Sequence, residues 1–226
     1  MNLSCTGAVT VAATLTLAGC GHVIHPAAVQ PGLAVDVVPA HETTRHEPKS
    51  QEGAYRAPGD FAPFTSSEPS LQVSLGYGWQ FGEHTGVQLQ LAAGTLTLPT
   101  LDAYFQFLGA PFDAGAGLAF GFPGFASPYV MAGKAIGDGD IRLRVDGGVR
   151  GFWVLEPYGQ DYPAGGPMAL VTLQRDLWAA GLWADGVYSP SPQYYIYCDE
   201  NCMAEHLARW RLSVGAYLQI RLPSLL

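Results

Sequence analysis

From Leu71 to the end of the chain, apolar and polar residues alternate with a period of two. In the segment LQVSLGYGWQF, residues 71–81, every second side chain is large and apolar, and the side chains between them are Gln, Ser or Gly. This period is typical of β-strands with one apolar and one polar face. The pattern continues in residues 87–91, and it therefore predicts a succession of strands. Shorter runs follow at 101–107, 114–122 and 128–136.

Short polar segments separate these predicted strands. The sequence GDG at 137–139 carries the strongest hairpin signal, because Gly and Asp tolerate the positive φ angles of tight turns. GEH at 82–84 and RD at 175–176 predict two further turns. The turns at 137–139 and 175–176 are predicted to lie on the same side as the C-terminus, and the longer segments on the opposite side. These longer segments are 121–128, 156–167 and 189–207.

The last predicted strand, Arg209 to Leu222, is long. Its alternation extends over about 13 residues, whereas strands of soluble proteins usually have about five or six. A tilted strand that crosses a membrane needs about 9 to 11 residues. The body of the chain, residues 70–226, therefore resembles the small outer-membrane β-barrel proteins. This resemblance implies an all-β fold, an antiparallel up-and-down β-barrel of membrane type with apolar residues outside and polar residues inside.

The number of strands is predicted as about 8 to 10, because single-chain bacterial barrels have even numbers of strands. About nine strands are visible from Leu71 onward. The segment LAVDVV, Leu33 to Val38, is a candidate for a tenth.

Charged side chains on the polar face of these strands are predicted to form a network inside the barrel. We favour a solid, charge-satisfied interior, because small barrels are filled by side chains. The alternative is a narrow conduit for anions, lined by arginines. The predicted network consists of Arg142, Arg144, Asp146, Arg150, Asp185, Arg211 and Arg221.

The N-terminus has the pattern of an export signal. Residues 1–19 contain no Asp, Glu, Lys or Arg, and the apolar run at 8–18 is too short to cross a membrane. The tetrad LAGC at 17–20 resembles the lipobox of bacterial lipoproteins. This resemblance implies that the signal peptide is removed, and that Cys20 carries acyl chains such as palmitate, which anchor the protein in the outer membrane.

Prolines and polar residues predict a flexible tether, at residues 20–69, between signal peptide and barrel. Four histidines in this segment are interpreted as solvated side chains, not as metal ligands. They are His22, His25, His41 and His46.

Two cysteines remain after Cys5 leaves with the signal peptide and Cys20 is acylated. Outside the cytoplasm Cys198 and Cys202 are expected to form a disulfide. The alternative is a partial zinc site, because Cys198, Cys202 and His206 recur every four residues.

The composition excludes some functions. The net charge is −8 and the pI is about 5.0, which disfavours binding to nucleic acids. No cofactor is predicted, because the sequence contains no phosphate-binding, Gly-x-Ser-x-Gly or His-Glu-x-x-His motif. The chain is also predicted not to be an enzyme, because His84 and His206 are the only histidines of the predicted barrel domain.

These patterns predict a non-catalytic outer-membrane β-barrel lipoprotein of the cell envelope. Its role is structural or lies in surface contact through residues 156–167 and 189–207, with a narrow conduit as a further option. One alternative is a lipid-anchored, lipocalin-like periplasmic protein that binds apolar ligands, whose apolar face would point inward. A second alternative is a lipid-modifying barrel enzyme, which needs a nucleophilic Ser beside a His at strand ends.

Overall fold

The computed structural model describes residue 29 and residues 31–48, 64–95, 99–109, 111–121, 125–154, 162–188 and 206–222. Within these ranges the chain forms ten β-strands, and no described helix is long and apolar enough to cross a membrane. The strands are β1 (Gly32–Pro48), β2 (Phe64–Phe81), β3 (Thr85–Gly94), β4 (Thr100–Phe107), β5 (Asp113–Gly121), β6 (Phe125–Ile136), β7 (Arg142–Val154), β8 (Tyr162–Arg175), β9 (Trp178–Tyr188) and β10 (His206–Leu222).

The strands form a closed antiparallel barrel. Each strand pairs with the next along the chain, and β1 pairs with β10 to complete the circle. Leu33 of β1 lies opposite Leu222 of β10 on one side and opposite Tyr77 of β2 on the other. Closure leaves no unpaired sheet edge. The predicted all-β, up-and-down barrel is confirmed, with ten strands.

The prediction of a flexible tether over residues 20–69 is wrong for part of that range. β1 (Gly32–Pro48) lies inside it, and β2 already begins at Phe64. The candidate strand Leu33–Val38 is therefore confirmed. It is part of β1, which brings the number of strands to ten. A proline removes one N–H donor from a sheet, but the pairing between β1 and β10 passes over Pro39 and continues beyond it. A strand of 17 residues that is paired on both sides retains enough hydrogen bonds to accommodate this loss.

The two faces of the barrel wall differ sharply in polarity. On the outside, Leu75 is 51% exposed and Ile220 is 52% exposed, whereas Gln90 and Arg144 on the inside are 1% and 2% exposed. The apolar positions of the alternation therefore face outward, and the polar positions face the lumen. A lipocalin-like ligand binder has the opposite arrangement, so that alternative is wrong.

The outward apolar surface forms a belt around the barrel. On β2 it extends from Leu71 to Phe81, and the same face continues beyond Leu71 with Ser67 and Thr65. At a rise of about 3.3 Å per residue the apolar part is about 33 Å long along the strand. With the usual strand tilt of about 40° this corresponds to a height of about 25 Å, which is the height of the apolar band of membrane barrels. The fold is thus a membrane-type β-barrel.

Short turns lie at one end of the barrel, together with the end of β10. The turn predicted at 82–84 is present, and the turns between β6 and β7 and between β8 and β9 lie at 137–141 and 176–177. Gly82 and Gly137 have φ angles of 71° and 100°, which glycine adopts more readily than other residues. Tight turns therefore close this end, as the sequence predicts.

The other end carries the longer connections. The connection predicted at 121–128 is shorter than expected, because β5 extends to Gly121 and β6 begins at Phe125. Parts of segments 156–167 and 189–207 are strand, since β8 begins at Tyr162 and β10 at His206. Residues 155–161 and 189–205 lie outside the described residues, and so does the proposed pairing of Cys198 with Cys202.

Candidate functional site in the barrel interior

Many of the side chains that line the lumen are polar, because strand alternation points every second residue inward and these positions often carry polar residues. Apolar side chains such as Trp183 and Phe125 are also buried there. Buried charged residues of both signs are present, with four arginines and five acids among the described residues. An excess of arginine, which an anion conduit requires, is therefore absent from the described lumen. The buried charged residues are Asp36, Glu42, Asp102, Arg144, Asp146, Arg150, Asp185, Arg211 and Arg221.

One ion-pair cluster is centred on Arg144 of β7. Its Nε donates to Asp146 Oδ1 over 2.9 Å, and its Nη1 donates to Asp113 Oδ2 over 2.7 Å. The Asp146 side chain is completely buried, whereas that of Asp113 is 18% exposed. Gly133 lies directly opposite Asp146 on β6, and a Cβ at this position would collide with the Asp146 carboxylate. The cluster therefore depends on a glycine in the neighbouring strand.

A second cluster joins an ion pair to aromatic rings. Arg150 Nη1 donates to Asp185 Oδ2 over 3.0 Å, and the Arg150 guanidinium lies 5.8 Å from the centre of the Tyr129 ring. The Tyr129 hydroxyl donates to Asp102 Oδ2 over 2.8 Å. Tyr104 stacks on Tyr129 with ring centres 5.8 Å apart. A cation over an aromatic face adds about 0.5–2 kcal/mol of attraction to such an arrangement.

A third cluster lies between β1, β2 and β3. Asp36 Oδ2 accepts a hydrogen bond of 3.0 Å from Ser74 Oγ and one of 2.7 Å from Gln90 Nε2. All three side chains are buried. Sequence reasoning missed Asp36 because it lies in the segment interpreted as a tether. The sequence signal that places Asp36 on the inward face is the alternation of residues in LAVDVV, Leu33 to Val38.

The residues of the predicted interior network form separate clusters and not one connected unit. Arg221 is buried near the end with short turns, where its Nε donates to Gln219 Oε1 over 2.6 Å. Arg211 is also buried, on the opposite half of β10. Arg142 differs, because it is exposed at the first position of β7, next to the turn. Arg142 is paired with the inward-facing Gln174, so it lies on the inner face at the end of the barrel, outside the buried part of the network.

One small cavity lies in the lumen next to Arg150 and Asp185. It has a volume of about 10 Å³ and is also bordered by Met131, Met168 and Trp183. Such a volume holds about one water molecule. Within the described ranges no group of three or more His, Cys, Asp or Glu side chains is arranged to hold a metal ion. Around Arg150 and Asp185 the described interior is thus closely packed and charge-paired.

A different polar site lies on the outside of the barrel, just beyond the apolar belt. His41 Nε2 and Ser67 Oγ are 2.5 Å apart, and Thr43 Oγ1 lies 3.2 Å from the same Ser67 oxygen. His41 and Ser67 are exposed. The argument that the barrel contains only His84 and His206 is wrong, because β1 brings His41 into the wall.

Comparisons with known proteins found similarity among solved structures only. No protein-family model and no curated protein matches this chain. Among solved structures, the NanC porin is 8% identical, with a TM-score of 0.40, over 82% of this chain and 100% of that chain. An outer membrane channel from Pseudomonas putida F1 is 9% identical, with a TM-score of 0.44, over 85% and 97% of the two chains. The outer membrane protein OprG from Pseudomonas aeruginosa is 11% identical, with a TM-score of 0.31, over 88% and 100%.

Proposed function

We propose that this chain is an exported bacterial lipoprotein whose barrel spans the outer membrane and has a non-catalytic structural or surface-contact role. The observation that carries the proposal is the apolar belt of about 25 Å, the height expected of a membrane barrel. Large side chains in this belt, such as Leu75 and Ile220, are half exposed to the surroundings. A contiguous apolar surface of this size is unstable in water, so it requires lipid around it.

The paired interior supports a closed barrel over a conducting one. The guanidinium of Arg144 is held by two carboxylates, and that of Arg150 is held by Asp185. Charges that are bound to one another are not available to attract passing anions. We therefore propose that the barrel serves as a scaffold that presents its longer connections at one side of the membrane.

Lipid attachment at Cys20 is the second part of the proposal. Cys20 lies outside the described residues, and the support is the LAGC sequence at 17–20 after an apolar run. One acyl chain gives only marginal membrane binding, whereas two or three anchor a protein stably. The acylated cysteine and the barrel would then hold the chain in the same membrane.

The membrane barrel is tested by the solubility of the Cys20→Ser variant. We expect this variant to need detergent and to migrate differently on gels before and after heating, because small membrane barrels resist unfolding. A variant that remains soluble and monomeric without detergent would contradict the membrane barrel.

The anchor is tested separately by growth with a labelled palmitate. We expect the label on the natural chain and on Cys5→Ser, which is the matched control within the signal peptide, but not on Cys20→Ser. Equal labelling of all three chains would contradict acylation at Cys20.

The contact of His41 with Ser67 favours a second candidate function, which is ester hydrolysis at the membrane surface. A serine within hydrogen-bond distance of a histidine is the arrangement of an activated nucleophile. Ser67 Oγ would attack the carbonyl carbon of a lipid ester while His41 Nε2 takes its proton and then returns it to the leaving alcohol. Water would release the acyl group by the same steps.

Labelling with a fluorophosphonate distinguishes the two functions. The candidate hydrolase requires labelling of the natural chain that is lost in Ser67→Ala and His41→Ala. Ser66→Ala is the matched control, since Ser66 is the neighbouring residue on the other face of β2. If the natural chain is not labelled, the candidate hydrolase is contradicted and the non-catalytic function stands.

A further inference from the structure

The outer face of the barrel carries a polar patch where β1 pairs with β2, beyond the apolar belt. Its members are Thr43, Arg45, Thr65 and Ser67, which we call the outer patch. Arg45 lies directly opposite Thr65, and Thr43 lies directly opposite Ser67. All four are at odd-numbered positions of strands whose even-numbered positions face the lumen, so their side chains point away from the barrel. Arg45, Thr65 and Ser67 are exposed.

The side chain of Arg45 is long enough to reach the hydroxyl groups of the patch. Diagonal neighbours on one face of two paired strands are about 7–8 Å apart, which is within reach of long side chains. Arg45 and Ser67 are such neighbours, because Arg45 is opposite Thr65 and Ser67 is two residues further along β2. Thr43 Oγ1 lies 3.2 Å from Ser67 Oγ. One guanidinium and two hydroxyl groups can therefore contact the same small anion.

Two aromatic rings mark the level of the outer patch relative to the membrane. Trp210 of β10 lies directly opposite Arg45 on the outer face and is 51% exposed. Its ring centre lies 4.5 Å from that of Tyr188 of β9. Trp and Tyr are enriched at the two membrane–water interfaces, where their rings lie at the level of the lipid headgroups. This pairing therefore places Arg45 beside the headgroups and not beside the hydrocarbon.

The charge of the outer patch is opposite to that of the whole chain. The net charge of the chain is −8, so the protein as a whole repels anions. Two acids lie close by in the same strands, Glu42 and Glu68, and they are directly opposite each other. Both are at even-numbered positions, which belong to the inner face of the wall. An attraction of this region for anions would therefore come from the patch itself.

A β-bulge lies next to Arg45. On β10 the partner of Arg45 is Trp210, whereas the partner of His46 is Ala208. Arg209 is therefore an extra residue of β10 between these two pairs. Bulges bend a strand locally and are frequent beside functional sites. This bulge places the backbone of a second arginine at the level of Arg45.

We propose that the outer patch binds the phosphate of an anionic membrane lipid, with Arg45 as the cation and the hydroxyl groups of Thr43 and Ser67 as hydrogen-bond donors. This proposal rests on the proposed insertion of the barrel in a membrane. The planar guanidinium of arginine matches the geometry of a phosphate group, to which it can donate two parallel hydrogen bonds. The acyl chains of the lipid lie along the apolar belt, which begins at Leu71. For the candidate hydrolase an anionic lipid is then the substrate class, but the binding itself needs no reaction.

Lipid binding to the purified barrel tests the site. The folded chain in detergent micelles is titrated with phosphatidylglycerol or with phosphatidylcholine of the same acyl chains, and bound lipid is counted by native mass spectrometry. We expect phosphatidylglycerol to bind at about one-fifth of the concentration that phosphatidylcholine requires, since one basic side chain beside anionic lipid has about this effect. We expect Arg45→Gln to remove the preference. Arg175→Gln is the matched control, because Arg175 lies on the outer face at the other end of the barrel and pairs with Asp140 over 3.9 Å.

The natural chain decides the proposal even if Arg45→Gln fails to fold. Equal binding of the two lipids by the natural chain overturns it, and so does an unchanged preference in a folded Arg45→Gln. Arg45→Lys keeps the charge, and we expect it to retain most of the preference. A natural chain that is soluble and monomeric without detergent overturns the membrane barrel and the lipid site together. A chain that needs detergent but binds both lipids equally overturns the lipid site while the proposed membrane barrel stands.

Discussion

The replacement of Arg144 by Met tests whether the charge pairs inside the barrel stabilise it. Arg144 is 2% exposed and is the cation of both Asp113 and Asp146. Removal of one partner from a buried ion pair costs about 3–5 kcal/mol, because the remaining charge is left buried without compensation. Asp146 is fully buried, so we expect Arg144→Met to reduce the free energy of unfolding by about this amount.

Arg142→Met is the matched control for this experiment. Arg142 is the same residue type two positions earlier on β7, but it is exposed. An exposed substitution of this kind changes stability by about 0.5 kcal/mol or less. Urea unfolding of the barrel in lipid vesicles, followed by tryptophan fluorescence and by heat-modifiable migration, measures both variants.

The pairing itself is tested by a third variant that combines Arg144→Met with Asp113→Asn and Asp146→Asn. Most of the lost stability should return, because no charge then remains buried without a partner. The reasoning is refuted if Arg142→Met and Arg144→Met lower stability equally, or if the neutral triple variant is the least stable of the three.

Two further predictions concern the outer surface and the close packing of the wall. Leu75→Arg, in the middle of the apolar belt, should destabilise the barrel by about 2–4 kcal/mol, whereas Thr65→Arg on the same face of β2 beyond the belt should change stability by about 0–1 kcal/mol. Equal effects in vesicle unfolding would contradict the proposed position of the membrane. Gly133→Ala should destabilise the barrel, because its Cβ would collide with Asp146, whereas Gly139→Ala in an open turn should not. Similar unfolding midpoints for the two alanine variants would argue against this packing.

The alternation of residues predicted the strands well where it was uninterrupted. β10 and β2 were recognised because each carries a long run of apolar residues at every second position. Most of β1 was missed, because Pro39 and the polar sequence HETTRHE resemble a linker. In an isolated segment these residues would not form a strand. In a closed barrel the pairing with β2 and β10 supplies the stability that the local sequence lacks.

The candidate site was predicted less completely than the strands. The inward direction of Arg144 and Arg150 follows from alternation along β7, but Arg142 shares this alternation and is exposed because it lies at the end of the strand. Asp113, the partner of Arg144 on β5, is 31 residues away in sequence and two strands away in the wall. Such a contact depends on the register of three strands, which a single sequence does not determine.

The pairing of β1 with β10 has a consequence for how the barrel is made. These strands come from opposite ends of the folded chain, so their contact has the greatest sequence separation in the barrel and forms late, after the hairpins between neighbouring strands. Until then an open sheet exposes two long edges that can pair with other chains. Val29 lies three residues before the start of β1 and packs among inward-facing residues of β4, β6 and β8, so it must lie on the concave side of that sheet before the seam closes or enter the lumen afterwards. Assembly, and not only stability, would then be sensitive to a substitution at Val29.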